Sequence, residues 1–157
     1  MTTRSDKLTL RTMRPGEEEE LAGTGFRSFR SGERELWLRN VFKDNPYLDA
    51  EDTMVVTIGG RIAGHASGYR LTMSLMGKDV PVRGIAAVAV VPEFRRRGVA
   101  DALLVGLHRQ MRRRGEALSM LYAFRMSFYR KFGYGVVEWV DHARVAPARL
   151  PGSPLRK

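Results

Sequence analysis

The chain has 157 residues, of which 43% are hydrophobic and 28% charged, and its formal net charge is +10. This length suits one globular domain with a proper core, and the charge favours an anionic partner such as a nucleotide, a nucleic acid or an acidic surface. Because the chain has no cysteine, disulfides, thiolate nucleophiles and thiolate metal sites are all excluded.

The first part of the chain predicts one strand and two helices. Alternating apolar residues predict a strand over residues 8–13, and apolar residues at helical spacing predict a helix over residues 17–29, although two glycines weaken it. A second, short helix is predicted over residues 33–42. It ends before Asp44-Asn45-Pro46, because a proline disfavours helical backbone in the residue that precedes it.

The middle of the chain predicts a β-sheet. Two strand-like runs, residues 53–58 and 62–75, flank Gly59-Gly60, which is the signal of a two-residue hairpin turn. A second turn at Gly77-Lys78-Asp79 leads into residues 85–91. That run is apolar on both faces, so it predicts a central strand.

The last part predicts a helix, a strand, a second helix and a final strand. The long helix after Gly98 should pack one face on the core, because four apolar residues recur at intervals of four: Val99, Leu103, Leu107 and Met111. A buried strand is predicted over residues 118–123, a short helix over residues 126–132 and a last strand over residues 136–145.

The predicted order is therefore β-α-α-β-β-β-α-β-α-β, an α/β fold with a mixed sheet. We expect residues 1–146 to form the domain. Residues 147–157 are rich in proline and are expected to be a tail or the start of a linker to a further domain.

The most informative segment joins the strand that ends at Val91 to the helix that follows Gly98. It contains Arg95-Arg96-Arg97-Gly98-Val99-Ala100. The first N–H groups of a helix have no partner within the helix, and its dipole favours anions, so this turn can hold a pyrophosphate. Gly98 lets the backbone approach the phosphates closely, and the arginines can add charge-assisted hydrogen bonds.

A second motif follows the next predicted strand, the aromatic run Phe128-Tyr129-Arg130-Lys131-Phe132-Gly133-Tyr134. The two motifs and the order of elements resemble the GNAT superfamily of N-acetyltransferases, which transfer acetyl groups from acetyl-CoA to amines. The acyl-CoA signature of that superfamily is Gln or Arg, two residues, Gly, one residue, then Gly or Ala. Arg95, Gly98 and Ala100 match it.

Residues 88–135 are more narrowly similar to the N-terminal acetyltransferase domain of the enhanced intracellular survival (Eis) family. Members of that family combine a triple-arginine turn with a Tyr-x-x-Phe-Gly-Tyr-Gly run. The resemblance implies the GNAT acyl-CoA N-acyltransferase fold and acetyl-CoA as the acetyl donor. It also implies an enzyme whose acceptor is a primary amine.

The resemblance further implies where the cofactor and the general acid lie. Acetyl-CoA would contact the strand, the turn, the start of the helix and the segment after the next strand: Val88, Ala89, Val90, Arg95, Arg96, Arg97, Gly98, Val99, Ala100, Asp101, Phe124 and Arg125. The general acid of the family matches Tyr129, which would protonate the departing CoA thiolate. The alternative for Tyr129 is a core aromatic packed on Phe128 and Phe132.

Direct attack on the thioester needs a deprotonated amine and a donor for the carbonyl oxygen. A backbone N–H near Val90 or Val91 is the candidate donor. In the survival family the general base is the carboxylate at the far C-terminus of longer chains, so the base is unassigned here. The alternatives are a chain of water molecules or another carboxylate, with Glu93, Glu138 and Asp141 as candidates. Phe124-Arg125 stands where the family has Ser-Glu, which argues against a strongly cationic acceptor.

Other functions and partners are left open by the sequence. The first alternative is a catalytically degenerate domain that only binds acyl-CoA, and a less favoured one is a basic nucleic-acid-binding module. Small-molecule amines, protein lysines and protein N-termini all remain as acceptors, and the oligomeric state is not indicated.

Membrane and metal sites are not expected. No apolar run approaches the roughly 20 residues of a membrane helix, and residues 1–6 lack the apolar stretch of a signal peptide, so we expect a cytoplasmic protein. The three histidines, His65, His108 and His142, are far apart in sequence and show no metal-ligand spacing.

Overall fold

The computed structural model describes residues 7–29, 33–43, 45–137 and 146. Its helices and strands follow one another as β1 (Leu8–Thr12), α1 (Glu18–Phe29), α2 (Arg34–Trp37), β2 (Thr53–Ile58), β3 (Arg61–Leu75), β4 (Lys78–Val90), α3 (Val99–Arg113), β5 (Leu118–Met120) and α4 (Met126–Arg130). A π-helical turn, Leu38–Lys43, continues α2, and short 3₁₀ turns cover Ala50–Asp52 and Pro92–Phe94.

The observed order agrees with the predicted order up to α4. Of the predicted last strand, Val136 and Val137 have no regular secondary structure, and residues 138–145 lie outside the described residues. The predicted tail, residues 147–157, lies outside them too. The chain divides into a first unit, residues 1–124, and a second unit, residues 125–157.

The first unit is built on a five-stranded sheet with the order β1-β2-β3-β4-β5. Strands β1 to β4 pair antiparallel, and β5 pairs with β4 in parallel. The predicted hairpin turn is present between β2 and β3, where Gly59 and Gly60 both have positive φ, +58° and +78°. No helix within the described residues is long and apolar enough to cross a lipid bilayer.

Helix α3 packs on one face of the sheet through its predicted apolar stripe. Val99, Leu103, Leu104 and Leu107 are at most 2% exposed, and burying such a side chain contributes about 1.5–3 kcal/mol. A Cβ on Gly64 of β3 would fall 2.4 Å from the carbonyl oxygen of Ala89 on the neighbouring strand β4, and 3.0 Å from the side chain of Val99 on α3. Glycine at this position is therefore required by the packing.

Helix α1 and the π-helical turn pack on the opposite face. The core there consists of Met13, Leu21, Ala22, Leu38, Phe42, Leu48 and Val55. Gly25 weakens α1 as an isolated helix, but a Cβ at this position would lie 2.6 Å from the ring of Trp37. The glycine therefore allows α2 to approach α1, where the rings of Trp37 and Phe29 stack with centroids 5.0 Å apart.

The prediction of a buried strand over residues 118–123 is wrong in length and in burial. Only Leu118–Met120 forms β5, and Leu118, Met120 and Tyr122 are 38%, 43% and 89% exposed. The strand ends the described sheet, so only β4 pairs with it. An apolar run in sequence does not show whether other elements cover it, and here the described elements leave these side chains partly open to solvent.

A cluster of buried ion pairs joins β4 to the segments around it. Arg83 of β4 is 1% exposed and contacts Asp52 and Glu116, and Asp52 also accepts a hydrogen bond from Arg114 at 2.5 Å. Burial alone would raise the pKa of Asp52. The hydrogen bonds from Arg114 and from the N–H of Asp49, the charge of Arg70 and the hydrogen bond from Arg83 together outweigh that effect, so the pKa lies below its usual value.

His65 of β3 is fully buried beside the edge of the Phe42 ring, at 5.6 Å between ring centroids. Neither ring nitrogen has a hydrogen-bond partner within the described residues. Burial lowers the pKa of His65 to about 3, because an apolar environment disfavours the charged imidazolium. The side chain is therefore neutral in the folded protein.

We expect His65 to make stability fall as the pH is lowered. The unfolded imidazole takes up a proton near pH 6.5 and the folded one only near pH 3. Between these values the unfolded state binds more protons, so the free energy of unfolding decreases by ~1.4 kcal/mol for each pH unit. His65→Leu should remove this slope and raise stability at pH 7, since no polar atom is then left buried without a partner.

Urea denaturation at pH 7, 6 and 5 measures this effect. His108→Leu is the matched control, because His108 is only half-buried and should leave most of the slope in place. An unchanged slope in the His65→Leu variant would show that His65 is not the group responsible.

Candidate functional site

The C-terminal half of β4 has an open edge. Strand β5 pairs with β4 only where Val82–Gly84 faces Leu118–Met120. Strand β3 accompanies β4 as far as Val90, but within the described residues no strand pairs with the other edge of residues 85–90. An unpaired strand edge offers a row of N–H and C=O groups, so it can bind an extended ligand in the way an added strand would bind.

A β-bulge reshapes this half of β4. Ala86 pairs with Ser67 and Ala89 pairs with His65, so two residues of β4, Ala87 and Val88, lie opposite one residue of β3. Ala87 has a φ of +50°, which a residue with a side chain adopts only at a cost of about 1–3 kcal/mol. Such a bulge bends the strand and re-aims its main-chain groups, here those of the predicted cofactor residues Val88, Ala89 and Val90.

The turn between β4 and α3 exposes main-chain N–H groups at the start of a helix. Gly98 is the N-cap residue, with φ +75°, and no side chain caps it with a hydrogen bond. The first N–H of α3 with a main-chain acceptor in the described structure is that of Ala102, bonded to the Gly98 carbonyl at 3.0 Å. Within the described residues the N–H groups of Val99 and Ala100 have no main-chain acceptor, and N–H groups of this kind at a helix start can bind an anion.

Space is also available at this turn. Apart from Gly98 and its two chain neighbours, no described residue has an atom within 4 Å of the position that a Cβ on Gly98 would take. Arg96 has a φ of +62°, also in the left-handed region, and left-handed residues in such turns form concave groups of N–H donors that bind anions. Arg95, Arg96, Arg97 and Gly98 are all exposed, whereas Phe94 is buried and anchors the turn.

The side chain of Arg95 contacts the protein's own main chain. Its guanidinium donates to the carbonyl oxygens of Val90 at 3.4 Å and of Ser28 at 3.0 Å. These bonds tie the turn to the end of β4 and to the C-terminal end of α1. We infer that the arginine of the signature shapes the turn, while Arg96 and Arg97 present more of the charge.

Glu93, one of the candidate bases, is held by two arginines. Its carboxylate lies 2.6 Å from Arg27 of α1 and 3.5 Å from Arg61 of β3. The pKa of Glu93 lies below its usual value because the carboxylate accepts hydrogen bonds from its own N–H and from Arg27. A carboxylate that binds protons less readily is a weaker base, so Glu93 fits a structural role better.

Arg27 and Arg61 were not singled out by the sequence. Arg61 places its guanidinium 5.4 Å from the centroid of the Phe94 ring, and Arg97 lies 5.7 Å from the same centroid. Contacts between residues so distant along the chain leave no local pattern from which they could have been predicted. The other candidate bases, Glu138 and Asp141, lie outside the described residues.

The structure places most of the predicted cofactor residues on one continuous segment. Residues 88–90 and 95–101 run from the open edge of β4 through the turn into the first turn of α3, where Asp101 is half-buried. Phe124 follows β5 and is 73% exposed, and Arg125 begins the second unit as the N-cap of α4. No group of His, Asp and Glu residues in the described part of the chain could hold a metal ion.

Tyr129 lies in α4 of the second unit and is 3% exposed. Its ring meets those of Phe128 and Tyr134 edge to face, with centroids 5.0 Å and 6.0 Å apart. Burial and the neighbouring Tyr134 raise the pKa of Tyr129. The phenol therefore stays protonated at neutral pH, as a proton donor must, and its packing also agrees with a core role.

The comparisons with known proteins agree on one family. The family model described as an acetyltransferase (GNAT) domain matches residues 9–137. An uncharacterised N-acetyltransferase of Streptomyces avermitilis is 31% identical over an alignment of 129 residues, and the alignment covers 78% of this chain and 30% of that protein. The N-acetyltransferase Eis of Mycobacterium tuberculosis is 36% identical over 78 residues, which are 49% of this chain and 19% of that protein.

The chain thus spans less than a third of the length of these curated relatives. The fold is shared with shorter proteins as well. The crystal structure of a GNAT family acetyltransferase from Brucella melitensis in complex with acetyl-CoA matches with a TM-score of 0.71 and 19% identity, over 83% of this chain and 84% of that one.

Proposed function

Since this chain belongs to the GNAT acetyltransferase family, we propose that it binds acetyl-CoA along β4 and transfers the acetyl group to a primary amine. The predicted resemblance to that family, and more narrowly to Eis, is confirmed, as is the predicted fold. One observation carries the proposal: an open strand edge leads directly into a helix start that no side chain caps. The acetyl-CoA bound by the Brucella protein of similar fold supports it.

The two halves of this segment suit the two halves of the cofactor. The diphosphate is an anion, which the N–H groups of Gly98, Val99 and Ala100 and the charges of Arg96 and Arg97 can hold. The pantetheine arm carries two amides in an extended chain. Amides of this kind can pair with the main chain of residues 88–90 at the open edge, as a short strand would.

The transfer needs three proton or charge adjustments. The amine, whose pKa is roughly 10 when it resembles lysine, must lose a proton before its lone pair attacks the thioester carbon. The N–H of Val91, one of the two predicted donors, donates instead to the carbonyl oxygen of Ala63 at 3.1 Å. We therefore propose that an N–H near Val90 stabilises the thioester carbonyl oxygen as it becomes negative. The C–S bond then breaks, and Tyr129 would protonate the leaving thiolate.

The acceptor and the general base belong to the same proposal. Because Glu93 is engaged by Arg27 and Arg61, we propose that a water molecule, or a carboxylate outside the described residues, takes the proton of the amine. The proposed acceptors are small amines, protein lysines and protein N-termini. The second candidate function is an acyl-CoA-binding domain without activity. It is favoured because the ion pairs of Glu93 with Arg27 and Arg61 make this carboxylate a poor general base.

Mixing the protein with acetyl-CoA and a panel of amines should release CoA thiol faster than acetyl-CoA hydrolyses alone.

Gly98→Ala should raise the Kd for CoA by about tenfold or more, because a side chain at φ +75° strains the backbone and moves the donating N–H groups. Gly115→Ala is the matched control. Its φ is +71°, it too has open space, and it lies beyond the other end of α3.

Thermal unfolding and calorimetric titration with CoA measure both variants. Both should lose similar stability, and only Gly98→Ala should lose affinity. Equal CoA affinity in the two variants would reject the proposed diphosphate site, and tight CoA binding without thiol release to any amine would favour the second candidate function.

Tyr129→Phe tests the general acid. Because a thiol has a pKa near 8.5 and its thiolate leaves readily, the variant should lower kcat by up to ~100-fold without abolishing turnover. The Kd for CoA should stay at the wild-type value. Tyr134→Phe, which removes the neighbouring hydroxyl, serves as the control, and a kcat unaffected by Tyr129→Phe would leave Tyr129 with only a packing role.

A further inference from the structure

We propose that Arg83 and Glu116 are positioning residues that fix the point at which β4 and β5 separate. They would thereby set the opening beside residues 85–90 that receives the pantetheine arm. The inference rests on the proposed function, because it assigns the opening to acetyl-CoA. The inference assigns a role to two residues, Arg83 and Glu116, that lie outside both the arginine-glycine turn and the aromatic run.

Arg83 occupies the middle of the short parallel pairing, opposite Ser119. Its guanidinium makes a bidentate contact with Glu116, with Nε donating to Oε2 at 2.9 Å and Nη2 donating to Oε1. Nη1 donates to Asp52 at 2.9 Å and to the carbonyl oxygen of Gly68 at 2.7 Å. Each nitrogen of this buried side chain therefore has an acceptor, as a buried guanidinium requires.

Glu116 lies on the connection between α3 and β5, two residues before Leu118. Its carboxylate is 17% exposed, and its N–H donates to the carbonyl oxygen of Met111 at 3.0 Å. The Arg83 contact therefore joins β4 to the segment that enters β5. Arg114 adds the end of α3 to the same cluster through Asp52.

The ion-pair cluster around Arg83 lies at the end of β5 that pairs with β4. Beyond Gly84 no described residue pair holds β5 against β4, so the direction in which β5 leaves depends on how its first residues are held. The three residue pairs between β4 and β5 alone give few hydrogen bonds. The buried ion pairs are the additional contacts that make this end rigid, because replacing one partner would leave the other charge buried without its match.

The cluster is remote from the diphosphate turn. It lies near the C-terminal end of α3, a helix of 15 residues that is about 22 Å long. This distance exceeds the screening length of about 8 Å at physiological ionic strength, so a change of charge at Glu116 should have little direct effect on phosphates at Gly98. A change in the shape of the opening between β4 and β5 would instead weaken binding of the pantetheine arm.

Glu116→Gln tests the inference with two ligands. CoA occupies both the turn and the opening, whereas adenosine 3′-phosphate 5′-diphosphate has the phosphates of CoA and lacks the pantetheine arm. We expect the Kd for CoA to rise about tenfold in this variant, and the Kd for the nucleotide to stay at the wild-type value. Glu116→Asp keeps the charge on a shorter side chain. It should also weaken CoA binding and leave nucleotide binding unchanged, with a smaller increase in the Kd for CoA.

Glu51→Gln is the matched control. It removes the 2.7 Å pair between Arg114 and Glu51 from the same cluster without touching β5, so both affinities should be unchanged. Thermal unfolding shows whether each variant is folded at the assay temperature, and Glu116→Asp replaces Glu116→Gln if the latter is unfolded. Equal weakening of both ligands, or no weakening of either, overturns the inference. Failure of the wild-type protein to bind CoA would instead reject the proposed function.

Discussion

The pairing of β4 with β5 is the constraint on which the site depends, because it stops after Gly84. If β5 continued alongside β4 to Val90, its main chain would take up the N–H and C=O groups of residues 85–90, and none would remain for a ligand. A pairing this short holds β5 weakly. The buried cluster around Arg83 supplies the missing contacts at the one end where they do not occupy the open edge.

Local patterns predicted the elements well and many of their ends to within a residue, but they missed the start of β4 and the end of β5. The stripe on α3, the Gly59-Gly60 hairpin and the order of elements all follow from spacing within a few residues. The end of a strand pairing depends instead on two segments far apart in sequence, here β4 and residues 118–123. The sequence of residues 118–123 alone therefore could not predict that β5 would be short and exposed. Arg114 belongs to a run of arginines typical of a solvated helix end, yet it joins Asp52 and Glu51 across the fold.

The turn shows a similar division between what could and could not be predicted. The sequence predicted that Gly98 lets the backbone approach a phosphate closely, and the structure shows a positive φ at this glycine. Arg96 and Ala87 adopt positive φ without being glycine, and their residue types gave no signal. The arginine of the signature, Arg95, donates to two carbonyl oxygens of the protein. It therefore holds the main chain of the turn in place as well as contributing its charge.

The bulge opposite Ala66 also decides which changes β4 can accept over evolution. A substitution in residues 88–90 changes one side chain, whereas the deletion of one residue would either abolish the bulge or, if the bulge persisted, turn every following side chain to the other face of the sheet. The number of residues between the bulge and the turn is therefore restricted by the geometry of the strand. The hairpin at the opposite end of β4, where Met76 is 96% exposed, has no such restriction, and insertions should accumulate there.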